Sequence, residues 1–155
     1  MSTLRANAII DAAGGNTATI NGITPIAQGM TLLGTLTTTS GTTQTLSGLV
    51  LTNYKQLVFE WNGVSHNGSA QTYRIGAGVV TASASDTSFV YGRSTVELAT
   101  GIVTSQLARV SALPASTADD TVAQTGYSTA TTSVSVSVSG AGPLDGGSVR
   151  IYGVQ

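Results

Sequence analysis

Apolar and polar residues alternate along several stretches of the chain. Residues 133–139 read Ser-Val-Ser-Val-Ser-Val-Ser, and a second stretch places Leu57, Phe59 and Trp61 at every other position. Successive side chains of a strand point to opposite faces of its sheet, so a period of two puts these residues on one face. Both stretches therefore predict half-buried strands whose apolar side chains face a core.

Further short strands are predicted between turn signals. Residues 72–81, 87–93, 95–98 and 148–152 are rich in β-branched and aromatic residues, and Gly- or Asn-containing clusters separate the candidate strands. One of these clusters, Asn62-Gly63, is predicted to end the strand that contains Trp61. About seven to nine short strands with turn signals at this spacing are typical of a β-sandwich or barrel.

Helices are expected to be short or absent. Residues 95–110 are the one ambiguous stretch, since their large apolar residues could be placed on a helix, but their Thr and Gly content favours strands. Residues 112–124, which contain Pro114 and the pair Asp119-Asp120, are predicted to form the longest loop. The predicted fold class is all-β, an antiparallel β-sandwich.

The first 28 residues differ from the rest. Their short apolar segments are interrupted by turn clusters such as Asn21-Gly22 and contain too few large side chains to form a core. We therefore predict an extended N-terminal arm over residues 1–28, followed by a β-sandwich body over residues 29–155. The arm is expected to lie on another surface through its apolar side chains, namely Leu4, Ala6, Ile9, Ile10, Ile20, Ile23 and Ile26.

The chain contains unusually few charged residues. Asp, Glu, Lys and Arg make up 8% of it, against about 25% in an ordinary soluble domain. Sheet edges are normally guarded by charges or proline against pairing with other chains. Most of the predicted strands have no charge, so we expect their edges to be covered by copies of the same chain or by a larger particle.

Composition also excludes several classes of function. There is no Lys/Arg cluster of the kind that binds nucleic acid or an anionic membrane, and no apolar run long enough for a spanning helix. The start of the chain has no apolar signal-peptide region, which predicts that the protein stays in the cytoplasm where it is made. The absence of cysteine excludes disulfides and Cys-based zinc sites.

His66 is the only histidine and the only candidate general base of that type. It lies in Ser65-His66-Asn67-Gly68-Ser69, and the chain has no nucleophile-elbow pattern G-x-S-x-G. We predict a surface-loop histidine, solvated Asp119-Asp120, and a Glu60 that is exposed or paired with Arg74 or Arg93. The chain is thus expected not to be an enzyme and to have no cofactor and no metal; a hydrolase centred on His66 is the least favoured hypothesis.

Tyrosines beside turns suggest a second function. Trp61 is in register with the apolar strand face and is assigned to the core. Tyr54, Tyr91 and Tyr127 lie beside turns, where their rings could contact a sugar together with the loop that contains His66. This alternative is a receptor- or carbohydrate-binding module that binds a glycan on the host surface.

Three stretches of the sequence resemble virion structural proteins of tailed bacteriophages. They are the opening Ser2-Thr-Leu-Arg-Ala-Asn-Ala-Ile-Ile-Asp-Ala-Ala-Gly-Gly-Asn16, residues 49–65 (LVLTNYKQLVFEWNGVS) and the ending Gly146-Gly-Ser-Val-Arg-Ile-Tyr-Gly-Val154. The resemblance implies a virion structural role, often as a homotrimer, with a jelly-roll-like β-sandwich body. It supplies no catalytic residues.

The resemblance and the composition lead to the same expectation. The chain is expected to be a capsid decoration or cement protein, or a component of a short tail fibre, located at the particle surface after assembly in the host cytoplasm. The absence of heptads and repeats favours the compact decoration unit. Its expected partners are copies of itself and other virion proteins, such as the major capsid protein or tail proteins, which the arm would contact by strand addition.

Overall fold

The computed structural model describes residues 29–84, 88–111, 116–140 and 142–155, and all regular structure in these ranges is β-strand. The predicted arm lies outside the described residues, as do its candidate contact residues Leu4, Ala6, Ile9, Ile10, Ile20, Ile23 and Ile26.

Ten strands form two antiparallel sheets. The larger sheet has the order β1-β10-β3-β6-β7-β8, and the smaller has the order β2-β9-β4-β5. The prediction of an all-β antiparallel sandwich is confirmed. The strands are β1 (Met30–Thr37), β2 (Thr43–Ser47), β3 (Gln56–His66), β4 (Gln71–Ile75), β5 (Gly78–Ala84), β6 (Ser88–Glu97), β7 (Ile102–Ser111), β8 (Ser116–Gln124), β9 (Ser133–Val138) and β10 (Leu144–Val154).

The order in which the strands pair is that of a jelly roll. Strand β1 pairs with β10, β2 with β9, β3 with β6 and β4 with β5, so that each pair is nested within the one before it. This is the pattern of one long hairpin rolled into two packed sheets, the jelly-roll arrangement. The hairpin of β7 and β8 lies between β6 and β9 in sequence, pairs with β6 and widens the larger sheet.

The core lies between the two sheets. Leu57, Phe59 and Trp61 are buried in it, as the alternating pattern predicts, and β9 contributes Val134 and Val136 from the opposite sheet. Fully burying an apolar side chain of this size stabilises a fold by about 1.5–3 kcal/mol. Among the described residues, the buried members of the core cluster lie between Leu36 and Ile151.

Two strand boundaries differ from the prediction. Residues 72–81, predicted as one strand, form β4 and β5 with a tight turn at Gly76-Ala77. A Cβ at Gly76 would lie 2.7 Å from the carbonyl oxygen of Thr125, so only glycine lets the turn pack this closely. The two strands predicted over residues 87–93 and 95–98 are replaced by the single strand β6, Ser88–Glu97, because Ser94 continues the alternation and faces the core.

The long loop predicted over residues 112–124 is wrong. Residues 116–124 form β8, which pairs with β7 without a break from Ser116 opposite Val110 to Gln124 opposite Ile102. Propensity and the Asp119-Asp120 pair suggested a loop, but pairing with a distant strand overrides local preference. Strand β8 is an edge strand, where charge is useful because it discourages further pairing.

Among the strands of the described ranges, β1, β8, β2 and β5 lie at sheet edges, and of these four only β8 contains charged residues. The uncharged edge of β5 is approached by β8, whose Thr121 hydroxyl donates a hydrogen bond to the carbonyl oxygen of Val80 at 2.9 Å. On the other side of the sandwich, a Cβ at Gly34 in β1 would lie 2.7 Å from a methyl carbon of Leu46 in β2. The edges of the two sheets therefore lie close to each other on both sides.

Candidate functional site

The outer face of the larger sheet, which points away from the core, exposes several large apolar side chains. Val58 on β3 and Thr95 on β6 face outward because their neighbours in sequence face the core. Phe89 and Val110 form a cross-strand pair on this face, next to the pair Tyr91 and Ala108. The register places these exposed apolar residues on the outer face: Leu32, Phe89, Tyr91, Ile102, Val110 and Val122.

A row of polar and charged residues crosses the same face. Across five neighbouring strands the register aligns Arg150, Glu60, Arg93, Gln106 and Asp120. The Arg93 guanidinium lies 3.0 Å from the Glu60 carboxylate, which confirms one of the two predicted partners of Glu60. Their side chains are 54% and 33% exposed, so the pair contributes at most about 1 kcal/mol to stability.

Two shallow depressions in this face meet at Gly92. One has a volume of about 260 Å³ and is lined by Glu60, Trp61, Asn62, Gly92, Arg93 and Arg150. The other has a volume of about 310 Å³ and is lined by Tyr91, Gly92, Gln106, Leu107, Ala108 and Asp120. The first is polar at its rim, and the second has an aromatic ring at its edge.

Gly92 shapes this part of the sheet. Its φ of 131° lies in a region that side chains rarely adopt. A Cβ at this position would lie 3.0 Å from Leu107 Cα and closer still to the carbonyl oxygen of Gln106. The backbone of β6 can therefore approach β7 here only with glycine.

A bulge in β3 lies opposite Tyr91. The register between β3 and β6 shifts between Trp61, which is opposite Gly92, and Val64, which is opposite Val90, so Asn62 and Gly63 together oppose one residue. The predicted strand end at Asn62-Gly63 is wrong, because β3 continues through the bulge to His66. Bulges of this kind bend a strand and re-aim neighbouring side chains. The Tyr91 hydroxyl lies 3.3 Å from the position of a Cβ on Gly63, so its ring covers the bulge.

Trp61 forms the floor of the first depression. Its indole N–H donates a hydrogen bond to Ser94 Oγ at 3.0 Å, and Ser105 Oγ donates to the same oxygen at 2.9 Å. Its ring also packs edge-on against Tyr73, with the ring centroids 5.9 Å apart. Because Trp61 is buried and held in this way, it supports the surface rather than contacting a ligand.

Of the four residues predicted to contact a receptor, only Tyr91 is exposed on this face. Tyr54 is half-buried, and its ring lies 2.5 Å from the position of a Cβ on Gly153. The Tyr127 hydroxyl accepts a hydrogen bond from the backbone N–H of Ser135 at 2.7 Å, in the smaller sheet. The structure therefore does not bring the predicted tyrosines together.

His66 does not lie in a surface loop, and that prediction is wrong. It is the last residue of β3 and is fully buried, with its ring centroid 5.7 Å from that of Tyr73. The neighbouring Ser65 is buried too, and its hydroxyl donates to the Asp145 carboxylate at 2.5 Å. In a Ser-His-Asp site the serine donates to the histidine, whereas Ser65 donates to the Asp145 carboxylate.

Burial has a marked effect on one ionisable group of this cluster. The Tyr73 side chain is fully buried, and its hydroxyl has no hydrogen-bond partner in the described part of the molecule. Desolvation, with a smaller effect of the nearby Asp145 carboxylate, raises the pKa of Tyr73 well above its ordinary value. Its phenol therefore stays neutral in the folded protein.

Comparisons and searches for other sites give no further assignment. No family model, curated protein or solved structure matches the chain. Within the described ranges, no three His, Asp or Glu side chains cluster in a way that could hold a metal ion. The same ranges contain no helix that is long and apolar enough to cross a membrane.

Sequence reasoning missed most of the residues around Gly92. The pair Asn62-Gly63 predicts a turn, the pair Asp119-Asp120 predicts solvated loop charge, and nothing in the local sequence around Gln106 or Arg150 indicates a binding role. They are far apart in sequence and meet only through the register of four strand pairs. One pattern in the sequence indicates them: they are polar residues at the outward positions of strands whose side chains alternate between two faces, in a chain with few charged residues.

Proposed function

We propose that this chain is a structural protein of a bacteriophage particle that works by binding and not by catalysis. In this proposal the jelly roll is a capsid decoration or cement unit, or else part of a short tail fibre, and residues 1–28 fix it to its neighbours. The observation that carries the proposal is the edge strand β1, because it contains no charged residue that would discourage another chain from pairing with it. Natural proteins normally guard such an edge with charges or proline, or cover it with another segment.

The position of the arm supports this proposal. Residues 1–28 lead directly into β1, an edge strand of the larger sheet. A segment of that length spans at most about 90–100 Å when extended, whereas a body of this size has a radius of gyration of only about 14 Å. The arm is therefore long enough to reach a neighbouring copy or another protein of the particle.

Strand addition is the mechanism that we propose for the arm. Strand β1 contains no charged residue, and an edge strand offers unpaired backbone N–H and C=O groups along one side. An extended segment can pair with such an edge and bury alternate apolar side chains. A homotrimer in which each arm contacts the next copy, together with the major capsid or a tail protein as further partner, would use both features.

Deletion of residues 1–28 tests the proposal. Because the core cluster begins at Leu36, we expect the truncated protein to fold and to unfold cooperatively on heating. We expect it to sediment as a monomer where the full chain sediments as an oligomer, and to be absent from particles assembled in the host. Normal incorporation of the truncated protein into particles would refute the proposed role of the arm.

A matched variant separates apolar burial from mere chain length. The full chain with Ile9, Ile10, Ile20, Ile23 and Ile26 replaced by Ser retains the backbone of the arm but loses its largest side chains. We expect this variant to assemble as poorly as the truncated protein. If it assembles normally while the truncated protein does not, the arm acts through its backbone alone and the proposed apolar burial is wrong.

A further inference from the structure

The side chains around Gly92 have the chemistry of a saccharide site. Tyr91 is 41% exposed at the edge of one depression and offers part of an aromatic face. Such a face packs against the apolar C–H side of a pyranose ring. The remaining groups are carboxylates, amides and guanidinium ions, whose paired donors or acceptors suit adjacent sugar hydroxyls. They belong to Glu60, Asn62, Arg93, Gln106, Asp120 and Arg150.

The backbone holds these side chains on a preformed surface. All of them project from neighbouring strands of one sheet, and the bulge at Asn62-Gly63 and the close approach at Gly92 fix the shape between them. The depressions are shallow, near the lower limit of about 300 Å³ for small-molecule pockets. A polar ligand that lies along the surface fits them better than an apolar ligand, which would leave the charged groups desolvated and unpaired.

The two ends of the site differ in charge, because Arg150 lies at one end and the Asp120 carboxylate lies at the other, with three strands between them. A carboxylate of a ligand therefore fits the Arg150 end. Arg93 is engaged by Glu60 at 3.0 Å. Arg150 lies on the opposite side of Glu60, is exposed, and has no carboxylate within ion-pair distance among the described residues. One guanidinium at this end is therefore available. A guanidinium binds a carboxylate through two parallel hydrogen bonds, which a neutral sugar cannot offer.

Arg150 and Tyr91 lie at different depressions of the site. Arg150 is on β10 and Tyr91 is on β6, with β3 between them, and Tyr91 precedes Arg93, the residue aligned with Arg150, by two positions. With about 4.8 Å between strands and about 3.4 Å per residue, their Cα atoms are about 12 Å apart. A ligand of two or more linked rings can lie across both depressions and contact both side chains.

We propose that the two depressions joined at Gly92 bind an acidic oligosaccharide of at least two rings. A carboxylate of the ligand pairs with Arg150, and another ring packs on Tyr91. Asn62 and Gln106 bind hydroxyl groups of the ligand. This site goes beyond the proposed structural role, since decoration of a particle requires no saccharide. Several copies on one particle would increase the weak binding of a single shallow site.

The test is a binding experiment on the full chain. The purified protein is titrated with sialic acid- and galacturonic acid-containing trisaccharides, and with neutral sugars of the same length, by isothermal calorimetry and NMR. We expect saturable binding of at least one acidic probe, with binding of its neutral counterpart weaker by roughly tenfold or more. No saturable binding of any acidic probe at millimolar concentration would overturn the proposal.

Three variants tie the binding to the residues named. We expect Arg150→Ala and Tyr91→Ala each to weaken binding of the acidic probe by roughly tenfold. Lys55→Ala is the matched control, because it removes one exposed positive charge outside both depressions. Thermal unfolding confirms that each variant is folded. Unchanged binding by Arg150→Ala would show that the site is elsewhere. An equal loss of binding in Lys55→Ala would show that the attraction is a non-specific effect of charge.

Discussion

Ser94 Oγ accepts the indole N–H of Trp61 at 3.0 Å beneath the surface at which the two depressions meet. Trp61 is buried in β3 and Ser94 in the neighbouring strand β6, so this hydrogen bond joins two strands inside the core. Ser105 in β7 donates to the same oxygen and extends the link to a third strand. A buried polar chain of this kind is stable only when each donor has its acceptor.

Replacing Ser94 with Ala should leave the Trp61 N–H without an acceptor. A buried unsatisfied donor costs about 1–3 kcal/mol, and we expect the free energy of unfolding to fall by that amount. Ser105→Ala is the matched control, because it removes a hydroxyl but leaves the bond from Trp61 to Ser94 intact. It should cost at most about 1 kcal/mol. Urea unfolding measures the free energy of unfolding of both variants. A larger loss of stability in Ser105→Ala than in Ser94→Ala would contradict this account.

Replacing Gly92 with Ala should destabilise the fold for two separate reasons. A side chain is strained at this φ by about 1–3 kcal/mol, and the added Cβ would clash with the backbone of β7. Gly126→Ala isolates the backbone strain, since Gly126 has a φ of 80° but no atom lies within 4 Å of an added Cβ. We expect Gly92→Ala to lose about 1–3 kcal/mol more than Gly126→Ala. Equal losses in denaturant unfolding would mean that the close approach of β6 and β7 has no energetic importance.

Tyr127 should act as a link between the segment after β8 and strand β9. Its hydroxyl accepts the Ser135 N–H at 2.7 Å and lies 3.3 Å from the carbonyl oxygen of the same residue. Tyr127→Phe removes this acceptor, and we expect a loss of about 1–2 kcal/mol. Tyr152→Phe is the comparison, because Tyr152 is also half-buried and its hydroxyl has no hydrogen bond shown in the structure. The stability of both variants is measured by thermal unfolding. An equal loss of stability in Tyr127→Phe and Tyr152→Phe would contradict the specific role of Tyr127.

Much of the sandwich could be predicted from local pattern. The alternation around Phe59 and around Val136 identifies core strands directly, because a period of two leaves little choice of face. The bulge after Trp61 could not be predicted, since Asn-Gly has the same appearance in a turn and in a bulge. Strand β8 could not be predicted either, because its partner β7 and not its own sequence makes it a strand.

The candidate surface was less predictable than the fold. Arg150, Glu60 and Arg93 are adjacent only because β10, β3 and β6 are neighbours in a particular register. A shift of one residue in either pair would place these side chains on opposite faces of the sheet. His66 shows the same limit, because its polar neighbours in sequence suggested exposure while the continuation of β3 buries it.

The buried phenol of Tyr73 should make the fold sensitive to alkaline pH. Its folded-state pKa is raised above the unfolded value of 10.0, so above that pH the unfolded chain releases a proton that the folded protein retains. The stabilisation is fully present below pH 10 and is lost as pH rises toward the folded-state pKa, at up to about 1.4 kcal/mol per pH unit.

Tyr73→Phe should remove this dependence of stability on pH. Removal of the hydroxyl breaks no hydrogen bond, because the Tyr73 hydroxyl has no partner among the described residues. Tyr91→Phe is the matched control, because it removes the hydroxyl of an exposed tyrosine. The free energy of unfolding of the three proteins is measured by urea unfolding between pH 8 and pH 12. If it falls equally steeply with pH in the wild type and in Tyr73→Phe, Tyr73 ionises as readily in the folded protein as in the unfolded chain.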